Sequence, residues 1–201
     1  MKILNSEFVK SCASIDGCPP IKYPEFAVVG RSNVGKSSLV NMLMWKKQIA
    51  KSSNKPGKTQ LINYFDITND TWNNWYMVDL PWYGYAKAST QDRIAWMDTM
   101  YDYLTQRESL QRVFVLIDGK IPPQKIDIEF ISELMDEWVP FDIIVTKVDK
   151  TKPKDLNKNI QAFKQELKSK NIMIPEFLLS SSTTWKWKEE ILRYIEYSLQ
   201  N

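Results

Sequence analysis

The sequence predicts a three-layer α/β fold, a mostly parallel sheet with one antiparallel strand and helices on both faces. Three observations carry this. β-prone apolar runs alternate with helix-patterned stretches from Phe26 to the end of the chain. Residues 113–117 are apolar without a break, the mark of a strand buried on both faces. Residues 30–37 read Gly-Arg-Ser-Asn-Val-Gly-Lys-Ser, the pattern G-x-x-x-x-G-K-[ST], set between a short apolar strand and a helix.

In chain order, residues 1–25 are expected to form an N-terminal extension. Pro19, Pro20 and Pro24 punctuate it, and residues 3–9 add a short edge strand. The first core strand ends at Gly30, and a helix runs from about Lys36 to Trp45. Residues 46–60 are polar and basic around Pro56-Gly57 and read as a loop. Residues 61–67 and 75–79 read as an antiparallel strand pair joined by an Asn/Asp/Thr-rich turn. After a loop with aromatic side chains, Thr90 caps a helix to about Gln106, with Ile94, Met97, Tyr101 and Leu104 on one face. Strand 113–117 follows, then the break at Pro122-Pro123 and a helix over 126–138. Strand 141–145, helix 153–169, strand 176–180 and helix 186–199 complete the chain. Residues 26–201 are expected to be one domain, with no internal repeat or low-complexity segment. Ligand is expected at the carboxyl ends of the strands.

The 201 residues are 43% hydrophobic and 25% charged, a globular balance with room for a core. No stretch approaches the roughly 20 apolar residues that span a bilayer. The first residues hold Glu7 and no apolar run, unlike a signal peptide, so a cytoplasmic protein without membrane contact is expected. Cys12 and Cys18 lack a second pair and any histidine partner, and are expected as free thiols. The absence of histidine removes imidazole acid–base catalysis and leaves Lys, Asp, Ser, Thr, backbone dipoles and a metal ion. That inventory suits phosphoryl transfer. The net charge is +3. Lys46, Lys47, Lys51, Lys55 and Lys58 crowd one region with no acid among them, which reads either as a solvated loop or as a surface that meets phosphates of RNA or of the nucleotide.

The glycines of residues 30–37 let backbone N–H groups turn around an anion, and the helix that follows adds its positive end. Lys36 is expected on the β- and γ-phosphates, and the Ser37 hydroxyl on Mg²⁺, which prefers oxygen ligands. Three further motifs follow strands. In Thr146-Lys147-Val148-Asp149, the carboxylate can accept hydrogen bonds from the N1–H and exocyclic amine of guanine. Adenine lacks that donor pair, and Lys147 lies along the base plane. Ser180-Ser181-Ser182 brings backbone N–H groups to the guanine O6. Asp79-Leu80-Pro81 supplies a carboxylate that holds Mg²⁺ through water. In the basic loop, Gly57-Lys58-Thr59 can place a hydroxyl on Mg²⁺ when a γ-phosphate is present, an order–disorder switch.

These segments together resemble the EngB family of bacterial GTPases, also called YihA or YsxC, in the TrmE–Era–EngA–EngB–Septin-like class. The resemblance rests on Gly30 to Ser37 with Ser38-Leu39, Lys55-Pro56-Gly57-Lys58-Thr59-Gln60, Asp79-Leu80-Pro81 with Tyr83-Gly84-Tyr85-Ala86, and residues 146–150. It implies a P-loop NTPase of Ras-like G-domain type, a monomeric Mg²⁺-dependent GTPase of the bacterial cytoplasm. Such a protein acts with rRNA and ribosomal proteins of the large-subunit precursor, and is needed for division and septation. It implies nucleotide contacts at Gly30, Arg31, Ser32, Asn33, Val34, Gly35, Lys36, Ser37 and Ser38. Further contacts are implied at Gly57, Lys58, Thr59, Gln60 and Leu61, at Asp79, Leu80, Pro81 and Trp82, at Thr146, Lys147, Val148 and Asp149, and at Leu179, Ser180 and Ser181. Mg²⁺ falls to Ser37, Thr59 and Asp79, and catalytic roles to Lys36 and Thr59.

The chain departs from the family pattern in three places. Trp82 stands where the pattern has glycine, so GDP binding is expected intact and the GTP-induced switch impaired. Tyr83 occupies the place of the water-orienting Gln of Ras-like enzymes, so slow intrinsic hydrolysis is expected, dependent on a partner or K⁺. Trp185 and Trp187 stand in the last loop where the family shows glycine. A second reading is a GTP- or GDP-dependent RNA or ribosome binding module with little hydrolysis. A P-loop kinase is disfavoured, because Asp149 points to guanine and no Arg-rich lid is present.

Overall fold

Alternating apolar and helix-patterned stretches build one sheet with helices on both sides. The structure is a computed structural model that describes residues 1–44, 61–71, 74–83 and 90–200, with side chains from residue 97 in the last stretch. Among these, the strands are β1 (Ile3–Cys12), β2 (Glu25–Gly30), β3 (Ile62–Asn69), β4 (Trp75–Asp79), β5 (Leu110–Asp118), β6 (Phe141–Thr146) and β7 (Phe177–Leu179). The helices are α1 (Lys36–Leu43), α2 (Thr90–Gln106), α3 (Lys125–Asp136), α4 (Pro153–Ser169) and α5 (Lys188–Gln200).

The strand order is β1-β3-β4-β2-β5-β6-β7. β3 runs antiparallel to both β1 and β4, and the pairs from β4 onward are parallel. This is the mostly parallel sheet with one antiparallel strand that the sequence predicts. The expected short edge strand at residues 3–9 extends to Cys12, and its register with β3 is interrupted at Ile3/Asn5 and Phe8/Lys10. Such irregularities twist an exposed edge.

Side chains alternate across each strand and so feed two cores. On one face Ala27, Val29, Val113, Val115, Ile143 and Val145 pack with α2, α3 and α4. On the other, Phe26, Val28, Phe114, Leu116 and Ile144 pack with α1 and α5. Of the face expected on α2, Leu104 lies in the core, Tyr101 packs against it and Met97 is half-buried, while the side chain of Ile94 lies outside the described residues; Met100 and Tyr103 are also deeply buried. The polar Tyr103 hydroxyl goes inward because a partner waits there.

That partner is Glu25, fully buried at the start of β2. Its carboxylate accepts from Tyr64 Oη at 3.0 Å, Tyr103 Oη at 2.8 Å and Ser109 Oγ at 2.8 Å. Arg107 donates to it from Nε at 2.9 Å and Nη2 at 2.6 Å, and Nη2 also reaches the Pro19 carbonyl at 2.7 Å. A buried charge persists when its hydrogen bonds are filled and a cation pairs with it. Burial, reinforced by the Glu25 charge, pushes the Tyr64 and Tyr103 phenols well up, so both remain donors. This hub fixes the root of β2, whose far end carries the phosphate-loop motif.

Candidate nucleotide-binding site

The parallel strands β2, β4, β5, β6 and β7 point their carboxyl ends the same way, so Gly30, Asp79, Asp118, Thr146 and Leu179 open onto one edge of the sheet. Open α/β sheets bind ligands at that edge.

Residues 30–37 leave β2 and enter α1 through a tight turn. Gly30 is required for packing: a Cβ there would meet Val34 Cγ1 at 2.8 Å and Leu116 Cβ at 3.1 Å. Gly35 is required for conformation, with φ 109° at the N-cap of α1. Asn33 is also left-handed, at φ 62°. Val34 is buried and donates its N–H to the Arg31 carbonyl at 3.3 Å, while Ser32 and Asn33 are exposed. Left-handed residues at Asn33 and Gly35 in front of a helix N-terminus form a concave cradle that suits a phosphate chain.

Lys36 and Ser37 stand in the first turn of α1, half-buried, with Ser38 exposed beside them. The Lys36 ammonium pairs with the Asp79 carboxylate from the end of β4. The residue expected on the phosphates and the residue expected on Mg²⁺ therefore meet at one point. Leu80 donates its N–H to Val28 O at 3.0 Å, which ties this segment to β2. Leu80 and Pro81 are buried and Trp82 is half-buried. Among the described residues no group of three or more Cys, Asp or Glu gathers as a metal cage. The oxygen donors of Ser37 and Asp79 fit Mg²⁺, which keeps waters and substrate oxygens around few protein ligands.

The base motif docks directly on the phosphate loop. The Thr146 hydroxyl lies 2.6 Å from Val34 O and 3.0 Å from Ile117 O, and donates to the nearer. Lys147, left-handed at φ 57°, donates from Nζ to Asn33 O at 2.7 Å and to Asp118 Oδ2 at 2.6 Å. Val148 is buried and donates its N–H to Ser180 O at 3.4 Å, and Ser180 N–H reaches Val145 O at 2.8 Å. Ser181 is buried, and its Oγ accepts from the Thr184 N–H and hydroxyl at 3.2 and 2.9 Å. Leu179 is half-buried at the end of β7. A cleft of about 150 Å³ results, lined by Gly35 and Ser38 from the phosphate loop, Lys147 and Asp149 from the base motif, and Ser180 and Ser182 from the last loop. The Asp149 side chain is exposed and free to meet a ligand.

Gly57, Lys58, Thr59 and Gln60, the lysine cluster at residues 46–58, and Gly84, Tyr85 and Ala86 lie outside the described residues; Leu61 is described and half-buried. Trp185 and Trp187, which stand where the resemblance expects glycine, adopt left-handed φ of 58° and 68°. The glycine-like conformation survives there without glycine. The sequence reading missed two acids. Asp118 holds Lys147, and its only signal is an acid closing a buried strand. Asp127, in the first turn of α3, is 1% exposed and accepts from Arg31 Nε at 2.7 Å and Tyr83 Oη at 2.9 Å.

Comparison with known proteins agrees with this geometry. The family model described as "50S ribosome-binding GTPase" matches residues 25–175. The "Probable GTP-binding protein EngB" of Christiangramia forsetii is 48% identical over 98% of this chain and 97% of its own length. A crystal structure of a probable GTP-binding protein engB superposes with a TM-score of 0.67 at 22% identity, over 88% of this chain and 98% of that one. Era, solved in complex with MgGDPNP and nucleotides 1506-1542 of 16S ribosomal RNA, superposes with a TM-score of 0.71 at 20% identity, over 90% of this chain and 58% of that one. No described helix is long and apolar enough to cross a membrane. The phosphate loop, the base motif docked on it and the full-length match to EngB proteins agree, and the chain belongs to the EngB family of GTP-binding proteins.

Proposed function

We propose that this chain is a Mg²⁺-dependent GTPase switch of the bacterial cytoplasm that acts on the large ribosomal subunit during assembly and is needed for normal division and septation. The observation that carries the nucleotide reading is the cleft shared by Gly35, Ser38, Asp149, Ser180 and Ser182. There a carboxylate that can read the guanine edge sits beside a phosphate cradle. The ribosomal role is supported by the description of the matched family.

In this reading residues 30–38 wrap the phosphates, and Lys36 exchanges its carboxylate partner Asp79 for phosphate oxygens. Asp149 accepts from the guanine N1–H and amine, Lys147 covers the base plane, and residues 179–181 close its O6 side. Ser37, Thr59 and Asp79 would hold Mg²⁺, which would supply positive charge against the phosphates. In the same reading Trp82 contacts the γ-phosphate side, and residues 57–61 are assigned to the nucleotide by the family motif alone. The chain works as a monomer, with residues 1–25 as an extension of a G domain over 26–201 and the lysine cluster at 46–58 toward rRNA.

One observation favours a second reading, nucleotide-dependent binding with little turnover. Tyr83, at the place of a water-orienting Gln, is 3% exposed and commits its hydroxyl to Asp127. Slow intrinsic hydrolysis follows. Calorimetry with GDP, GTP and ATP, with and without Mg²⁺, tests the nucleotide reading; binding of GDP and GTP but not ATP is expected, and preference for ATP contradicts it. Single-turnover hydrolysis with and without large-subunit particles separates the switch, accelerated by particles, from the passive module.

A further inference from the structure

We propose that Asp127 is a positioning residue for the loop that follows β4: one carboxylate oxygen on α3 fixes Tyr83 of that loop and Arg31 of the phosphate loop in a common register. The inference rests on the nucleotide reading above and adds an element, α3, that the motifs do not include.

The geometry is specific. Asp127 Oδ1 accepts from both Arg31 Nε at 2.7 Å and Tyr83 Oη at 2.9 Å. Arg31 and Tyr83 also pair as a parallel β-bridge, so side-chain and main-chain ties coincide. The Tyr83 ring stacks on Phe130 with centroids 4.2 Å apart and planes 15° apart. Phe130 lies one helical turn beyond Asp127, on the same face of α3. The segment is thus held at two points: Leu80 N–H on Val28 O at 3.0 Å, and Tyr83 on α3. Only Pro81 and Trp82 lie between, and Trp82 is the residue expected beside the γ-phosphate.

The charges are consistent. Burial pushes the Asp127 carboxyl up, and the Arg31 guanidinium with the Tyr83 hydroxyl pulls it back. The positive end of α3 adds to that pull. Burial and the Asp127 charge push the Tyr83 phenol well up, so it stays a donor. α3 therefore sets where Trp82 sits relative to residues 30–37, and a loop held in one place discriminates between nucleotides that differ only at the γ-phosphate.

The test compares wild type, Asp127→Asn and Tyr83→Phe in two readouts. The first is hydrogen exchange without nucleotide. Asp127→Asn should speed exchange of residues 79–83 about tenfold and leave β6 and α5 unchanged. The second is affinity for GDP and for a non-hydrolysable GTP analogue. Asp127→Asn should weaken the analogue about tenfold while moving GDP by less than about threefold. Tyr83→Phe keeps the ring stack and should shift the ratio the same way by less. The double variant should match Asp127→Asn alone, because both act through one oxygen. The Arg31 side chain is 23% exposed and can turn to water, so Asp127→Asn is expected to fold, with unchanged exchange at β6 as the control. Unaltered exchange at 79–83, equal weakening of both nucleotides, or additive effects overturn the inference. Absence of guanine-nucleotide binding by wild type, with loosening still seen in Asp127→Asn, overturns the proposed function and leaves the tie between α3 and the loop standing.

Discussion

Trp82 stands where the family pattern has glycine. It is absent from the residues with positive φ, so it does not adopt the conformation that glycine would supply there without strain. Its N–H remains, but a pivot through left-handed space at that point costs a tryptophan more than it would cost glycine. Trp82→Gly should therefore raise the ratio of GTP-analogue to GDP affinity by about tenfold, read by fluorescence titration; equal ratios in both proteins contradict the idea. Trp185 and Trp187 differ, because they do enter left-handed space at a cost of roughly 1–2 kcal/mol each. The two cysteines are free, as their spacing without partners implies. Cys12 is 2% exposed, and burial, reinforced by neighbouring Cys18, pushes its thiol up to about 12. Native alkylation near pH 8 should label half-buried Cys18 and spare Cys12. The raised thiol also has a pH signature: its contribution to stability is full below the ordinary value of 9.0 and is lost as pH climbs towards about 12, because the unfolded chain gives up its proton first. Urea midpoints measured across pH 8–11 check that sign.

At the scale of elements, β2 is anchored at one end so that it can present a loop at the other. Glu25 ties β3, α2 and β5 together, and through Arg107 it also holds Pro19 of the N-terminal segment. Truncation would leave the Arg107 guanidinium without its carboxylate and three hydroxyls without an acceptor. Glu25→Ala should destabilise the fold by about 3–5 kcal/mol in denaturant titration, with an unchanged m-value; a change under about 1 kcal/mol would remove the hub from the account. The strands and most helices were legible because apolar runs and breakers report on burial directly. The burial of Tyr103 on α2 was not. Tyr103 turns inward only because Glu25 lies buried 78 residues away, and no local period encodes that contact. Asp127 was hidden for the same reason: its partner Arg31 is 96 residues distant, and an acid in the first turn of a helix ordinarily reads as a surface feature. The phosphate loop was legible because its chemistry needs glycines, Lys and Ser at fixed local spacing.

Over the whole molecule, parallel strands gather loops that are far apart in sequence at one edge of the sheet. Gly35 and Ser38, Thr146, Lys147 and Asp149, and Ser180 and Ser182 line one cleft, although more than a hundred residues separate the first pair from the others. The sequence named these segments separately, and the fold supplies the joints between them: Thr146 on Val34, Lys147 on Asn33, Val148 on Ser180. Those joints bring the Asp149 carboxylate and the phosphate loop to a single cleft. The most direct test of that arrangement is calorimetric titration of GDP and xanthosine diphosphate into wild type and Asp149→Asn. Wild type should prefer GDP by about a hundredfold or more, and Asp149→Asn, which offers an amide donor where the carboxylate accepts, should reverse the order. Wild type that binds both diphosphates equally, or a substitution that leaves the preference for guanine intact, would contradict it.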